Sequence, residues 1–113
     1  MNTQIIKADS EESLSAIIAG LGAKNVEMMA RRGVYANILV KDVPGAHARL
    51  LKRHYNDVGA EVAISHDAWL EKKDAVTNIL VMGSIHQHGE VRAALGSSSE
   101  LQPILNAIKA ALG

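Results

Sequence analysis

The sequence predicts an α/β (α+β) fold: one domain, a mixed sheet of about four strands containing one right-handed β-α-β unit, and helices covering that sheet. Three observations carry this. Short β-branched and aliphatic runs, Val34–Val40, Glu61–Ile64 and Asn78–Met82, alternate with longer segments of helical periodicity. A helix-length segment, Pro44–Val58, separates the first two runs, as a right-handed crossover between parallel strands requires. Finally, 113 residues that are 48% hydrophobic suffice for one core and leave no room for a second.

The elements follow in chain order. Thr3–Ala8 alternates in part and reads as a first strand. Asp9, with Glu12 three residues on, supplies a helix start, and Leu14, Ile17, Ile18 and Leu21 continue it until Gly20 and Gly22 end it. Val26, Met28, Met29 and Ala30 make a second short helix before Gly33. Val34–Val40 is a strand, and Pro44 opens a helix that stops at Gly59. Glu61–Ile64 is a short strand, and Ser65–Val76 an irregular, ordered loop anchored by Trp69. The nearly continuous apolar run Asn78–Met82 reads as a central strand covered on both faces. Gly83-Ser84 turns it into a helix ending near Gly96; Ser97–Ser99 link it to a last helix, Leu101–Leu112, capped by Ser99 or started at Pro103.

Composition excludes several functions. Twelve Lys and Arg balance twelve Asp and Glu, and the basic clusters Arg31-Arg32 and Lys52-Arg53 form no stripe, so nucleic acid is not expected as a partner. Absence of Cys removes disulfides, thiolate metal sites and cysteine nucleophiles. Neither a signal peptide at Met1–Gln4 nor a run near the roughly 20 apolar residues of a membrane span can be read, so the expectation is a cytoplasmic protein without membrane contact. Zero net charge gives little repulsion between copies and leaves a homodimer open.

Chemistry-bearing residues gather in two places. In the turn Gly83–His88, Gly83, Ser84 and Gln87 lie at a strand's C-terminal end, where a helix start offers N–H groups to a ligand. The same Ser-x-x-Gln spacing is a capping box, which accounts for these residues without a ligand and is the stronger reading. His86 and His88 share a metal if the segment is extended, but diverge by about 200° at a helix start. On the Pro44–Val58 helix, His47 and His54 fall on the arc of Val43, Leu50 and Val58, as hydrogen-bonded core groups or as part of an interface. No catalytic residue and no cofactor is predicted.

Several segments carry a family resemblance. Gly20-Leu21-Gly22, Val26–Ala30 with basic residues after it, and Ile38–Lys41 resemble the N-terminal extension of certain bacterial dihydropteroate synthases. So do Leu50-Leu51-Lys52, Val58–Ile64, Ile79–Ile85 with Gln87, and Gln102-Pro103 before the last helix. The likeness runs from residue 14 to residue 112 and rests on order and spacing. In the longer enzymes the extension precedes a catalytic barrel, which needs about 250 residues. Val81-Met82-Gly83 echoes the start of that barrel's pterin signature, but Ser84–Gly89 follows instead of the Asn, Pro and Asp. Pterin and aminobenzoate binding are therefore not carried over, and the family pattern gives the histidines no role. The resemblance implies a stand-alone, non-catalytic accessory domain. Its partner would be a dihydropteroate synthase or related folate-binding barrel protein, or a second copy. The alternative is a small-molecule- or metal-binding module, or small enzyme, built on Gly83–His88.

Overall fold

A computed structural model describes residues 1–113. In chain order the elements are α1 (Glu11–Gly20), α2 (Val26–Gly33), β1 (Tyr35–Pro44), α3 (Gly45–Asp57), β2 (Glu61–Ala63), α4 (His66–Trp69), β3 (Val76–Ser84), α5 (Ile85–Ala94) and α6 (Gln102–Leu112). The strands form one sheet in the order β1-β3-β2, and both pairings are antiparallel. The α+β class and the single domain thus stand, while the sheet differs from expectation in two respects.

First, it has three strands. Thr3–Ala8 forms no strand and pairs with none, and Ile5 is 86% exposed. Its two adjacent isoleucines find no core to enter. Second, the sheet is not mixed. β1 and β2 run the same way, joined by α3, but β3 lies between them and pairs with both. The most apolar strand takes the central place, where both its edges are hydrogen-bonded, so the expected direct parallel pair does not form. β3 is covered on one face only: Thr77, Ile79 and Val81 are buried, Asn78 is exposed, and Leu80 and Met82 are half-buried.

Local chemistry explains the boundaries. Ser10, one residue after the expected Asp9, caps α1: its Oγ accepts from the N–H of Ser13 at 3.1 Å, and Glu11 and Glu12 sit in the first turn. α1 packs on α2 and buries no residue. In β1 a bulge between Val40 and Val43 places Asp42 at φ +57°, and its N–H donates to Asn78 Oδ1 at 3.0 Å. The extra residue returns Val43 to the buried face. Ser65 caps the short α4 by accepting from Ala68 N–H at 3.2 Å. Ala68 takes the buried position there, which turns Trp69 outward to 58% exposure, so Trp69 does not anchor the segment. α6 starts at Gln102 with Pro103 in its first turn, and Gln102 Nε2 donates to the carbonyls of Gly96 and Ser98.

The core lies between the inner sheet face and α3, α5 and α6. Val43, Val62, Ile79 and Val81 from the strands meet Leu51, Tyr55, Val91, Leu105 and Ile108 from the helices. The radius of gyration is 16.2 Å, against about 13 Å for a compact chain of this length.

Candidate functional site

The turn from β3 into α5 is held by its own residues and by two bonds to neighbouring segments. Ser84 Oγ accepts from Gln87 N–H at 3.1 Å, and Gln87 Oε1 accepts from Ser84 N–H at 2.9 Å, completing the capping box. Gln87 Nε2 also donates to the Val58 carbonyl at 2.9 Å, which ties α5 to the end of α3. The N–H of Ile85 goes to the Val34 carbonyl. Gly83 sits in close quarters: a Cβ there would stand 3.1 Å from Ala60 Cβ and 3.2 Å from Gln87 Oε1, so a larger residue would make its neighbours give by a few tenths of an ångström. Gly83, Ser84 and Gln87 are therefore brought together, around one another rather than around a cavity.

The two histidines after this turn part company. His88 is fully buried. Its Nε2 lies 3.0 Å from the Ala36 carbonyl, an acceptor only, so Nε2 carries the proton and Nδ1 accepts from the Tyr55 hydroxyl at 2.7 Å. The rings meet edge to face at 5.4 Å. Burial lowers the His88 pKa against the pull of the Ala36 hydrogen bond, with the Arg92 charge lowering it further. Burial also pushes the Tyr55 hydroxyl up to about 12. With one nitrogen protonated and the other hydrogen-bonded, His88 has no lone pair for a metal. His86 points outward, and its Nε2 lies 3.1 Å from Glu90 Oε1. It borders a cleft of about 370 Å³ also lined by Glu11 and Arg31. The helix thus separates the expected metal pair, and no cluster of three His, Cys, Asp or Glu side chains could hold an ion.

His47 and His54 lie half-buried on α3. Their arc faces the chain's own core: Val43 is buried, and Leu50 and Val58 pack against the core cluster. His47 Nε2 lies 3.6 Å from Glu100 Oε2 in the segment before α6. Val43, Leu50 and Val58 on this arc are taken up by the chain's own core, while His47 and His54 stay partly exposed.

The open surface is instead the outer face of the sheet, which sequence reading missed. Tyr35, Leu39 and Val76 are 65%, 58% and 61% exposed there. Register sets Leu39 and Ala63 on either side of Leu80, and Asn37 and Glu61 on either side of Met82. All helices of the core lie on the other side. A cavity of about 440 Å³ is lined by Leu39, Ala63, Val76 and Leu80 among others. Glu61, on the same sheet face, is satisfied internally: its Oε1 accepts from Lys52 Nζ, Asn56 Nδ2 and Val62 N–H. These bonds, Lys52 first, hold the Glu61 carboxyl down to about 2. The signal was present in the sequence: Tyr35, Asn37 and Leu39 occupy the alternate positions to inward-facing Ala36, Ile38 and Val40.

No protein-family model matches the chain, no curated protein matches its sequence, and no solved structure matches it. No helix is long and apolar enough to cross a membrane.

Proposed function

We propose that the chain is a non-catalytic docking domain related to the N-terminal extension of dihydropteroate synthases, acting on a folate- or pterin-handling barrel protein through the open face of its sheet. One observation carries the reading: the outer face is apolar where the open side of an antiparallel sheet is ordinarily polar. Tyr35, Leu39 and Val76 stand out of the core in water, beside half-buried Leu80 and Met82. Exposed apolar surface of this kind, with Asn37 and Asn78 set among its apolar side chains, marks contact sites. The resemblance over residues 14–112 supplies the context of a barrel partner. Zero net charge favours a second arrangement, in which the same face meets a second copy.

Co-elution of the tagged chain with a purified dihydropteroate synthase tests the proposal. The expected result is co-elution that Leu39→Lys abolishes with the fold intact by circular dichroism. Co-elution unaffected by Leu39→Lys overturns the assignment of the face. No co-elution, with sedimentation of the chain alone as a dimer that Leu39→Lys disrupts, selects the second copy instead. A strict monomer that binds no barrel protein overturns both.

A further inference from the structure

The groove between α3 and α4 stands apart from the sheet face and from the turn. It encloses about 330 Å³ and is lined by Arg49, Lys52, Arg53, Asn56, Asp57 and Trp69. That volume lies at the lower end of small-molecule pockets. Arg49, Lys52, Arg53 and Asn56 recur at helical spacing, so α3 presents them along one stripe beside its buried Ala48, Leu51 and Tyr55. We infer that this groove binds a planar aromatic ligand bearing one compact anionic group, of mononucleotide size, with the ring stacked on Trp69 and the anion on Arg53.

Trp69 is the first reason. It is the chain's sole tryptophan and one of three aromatic residues, in a type that is highly buried on average, yet it stands 58% exposed. The backbone beneath it is fixed: Trp69 N–H donates to the Ser65 carbonyl at 3.0 Å, and Arg49 Nη1 donates to the Ala68 carbonyl at 2.7 Å. The indole is therefore presented from a braced turn, the arrangement that stacking needs.

Charge is the second reason. Arg49 Nε lies 3.6 Å from Glu71, and Lys52 is bonded to Glu61 and the Val62 carbonyl. Arg53 has no carboxylate partner, so its planar set of donors is free for an anion. Asp57 on the same groove repels a polyanion and accepts from a hydroxyl or amino group. One anionic group with hydrogen-bond donors nearby meets both demands, and a nucleoside monophosphate has that chemistry.

Because Trp69 is the only indole, intrinsic fluorescence reports on this groove alone. The chain is titrated with adenosine monophosphate, adenosine, ribose 5-phosphate and inorganic phosphate. Saturable quenching is expected with the monophosphate, and binding about tenfold weaker with adenosine. Arg53→Gln, an exposed position, is expected to weaken the monophosphate about tenfold without moving the thermal midpoint. No saturable quenching by the monophosphate at millimolar concentration overturns the inference. So does equal affinity in Arg53→Gln. Equilibrium dialysis that finds inorganic phosphate bound as tightly as the monophosphate overturns the stacking role of Trp69, and with it the proposed ligand class.

Discussion

His88 is fully buried and bridges two elements: the Tyr55 hydroxyl donates to its Nδ1 across 2.7 Å, and its Nε2 donates to the Ala36 carbonyl across 3.0 Å. One imidazole thereby ties α3 and α5 to the sheet's first strand with every polar atom of the ring satisfied, as burial demands. The position carries a folding role, and its consequences are measurable.

The first is a pH dependence. Burial lowers the His88 pKa below the ordinary 6.5. In the unfolded chain the ring gains a proton near that value, whereas in the folded chain it resists. The unfolded state therefore binds more protons as pH falls below about 6.5, and stability declines, with a limiting slope of about 1.4 kcal/mol per pH unit. Glu61, held down to about 2 from 4.5, adds its own loss only at lower pH, as the pH falls towards about 2. Urea midpoints are expected to fall between about pH 7 and pH 5; midpoints constant across that interval would contradict the buried neutral imidazole.

Removing the partner hydroxyl tests the same bond. Tyr55→Phe leaves Nδ1 of His88 buried without a donor, at a cost of about 1–3 kcal/mol by denaturant unfolding. At the alkaline end the sign reverses. The Tyr55 pKa is raised to about 12 from 10, so its contribution is complete below pH 10 and is lost as pH rises towards 12. Tyr55→Phe should flatten that alkaline decline.

The turn before α5 makes a structural prediction in place of a ligand-binding one. Ser84→Ala removes one arm of the capping box, with an expected loss of about 1 kcal/mol. Gln87→Ala removes the other arm together with the bond to Val58, for about 1–2 kcal/mol. The double variant should lose less than the sum, since the two side chains act on one another's backbone. Thermal unfolding of the three variants measures this.

On the open sheet face the expectation is the opposite. Leu39→Lys should shift stability by no more than about 0.5 kcal/mol, because the side chain is 58% exposed. Under the proposed docking role, its effect is expected on association. A large loss of folding stability would instead show that Leu39 supports the core.

Much of this organisation is legible in the sequence. The Ser84-x-x-Gln87 spacing predicts the capping box, and the Pro44–Val58 pattern predicts α3 with its terminus at Gly59. Strand order is not legible, because the apolar character of Asn78–Met82 fits a strand covered on two faces as well as one in the centre of an open sheet. The half-buried state of Leu80 and Met82 depends on what lies above them, which is a tertiary fact. Trp69 shows the same limit: a one-residue difference in the phase of α4 puts Ala68 in the core and the indole in water. The histidines follow the helix start that the capping box predicts. Spacing places His86 and His88 near each other in sequence, while a helix start sends one to Glu90 and the other to Tyr55.

The outer face of the sheet is the proposed contact surface. Amide chemical shifts of the labelled chain, recorded as a purified dihydropteroate synthase is added, test it most directly. Perturbations are expected to centre on Tyr35, Leu39, Leu80 and Met82, with α3 and α5 unmoved. Perturbations centred on Gly83–His88 or on the outer stripe of α3, or none across the sheet face, would contradict it.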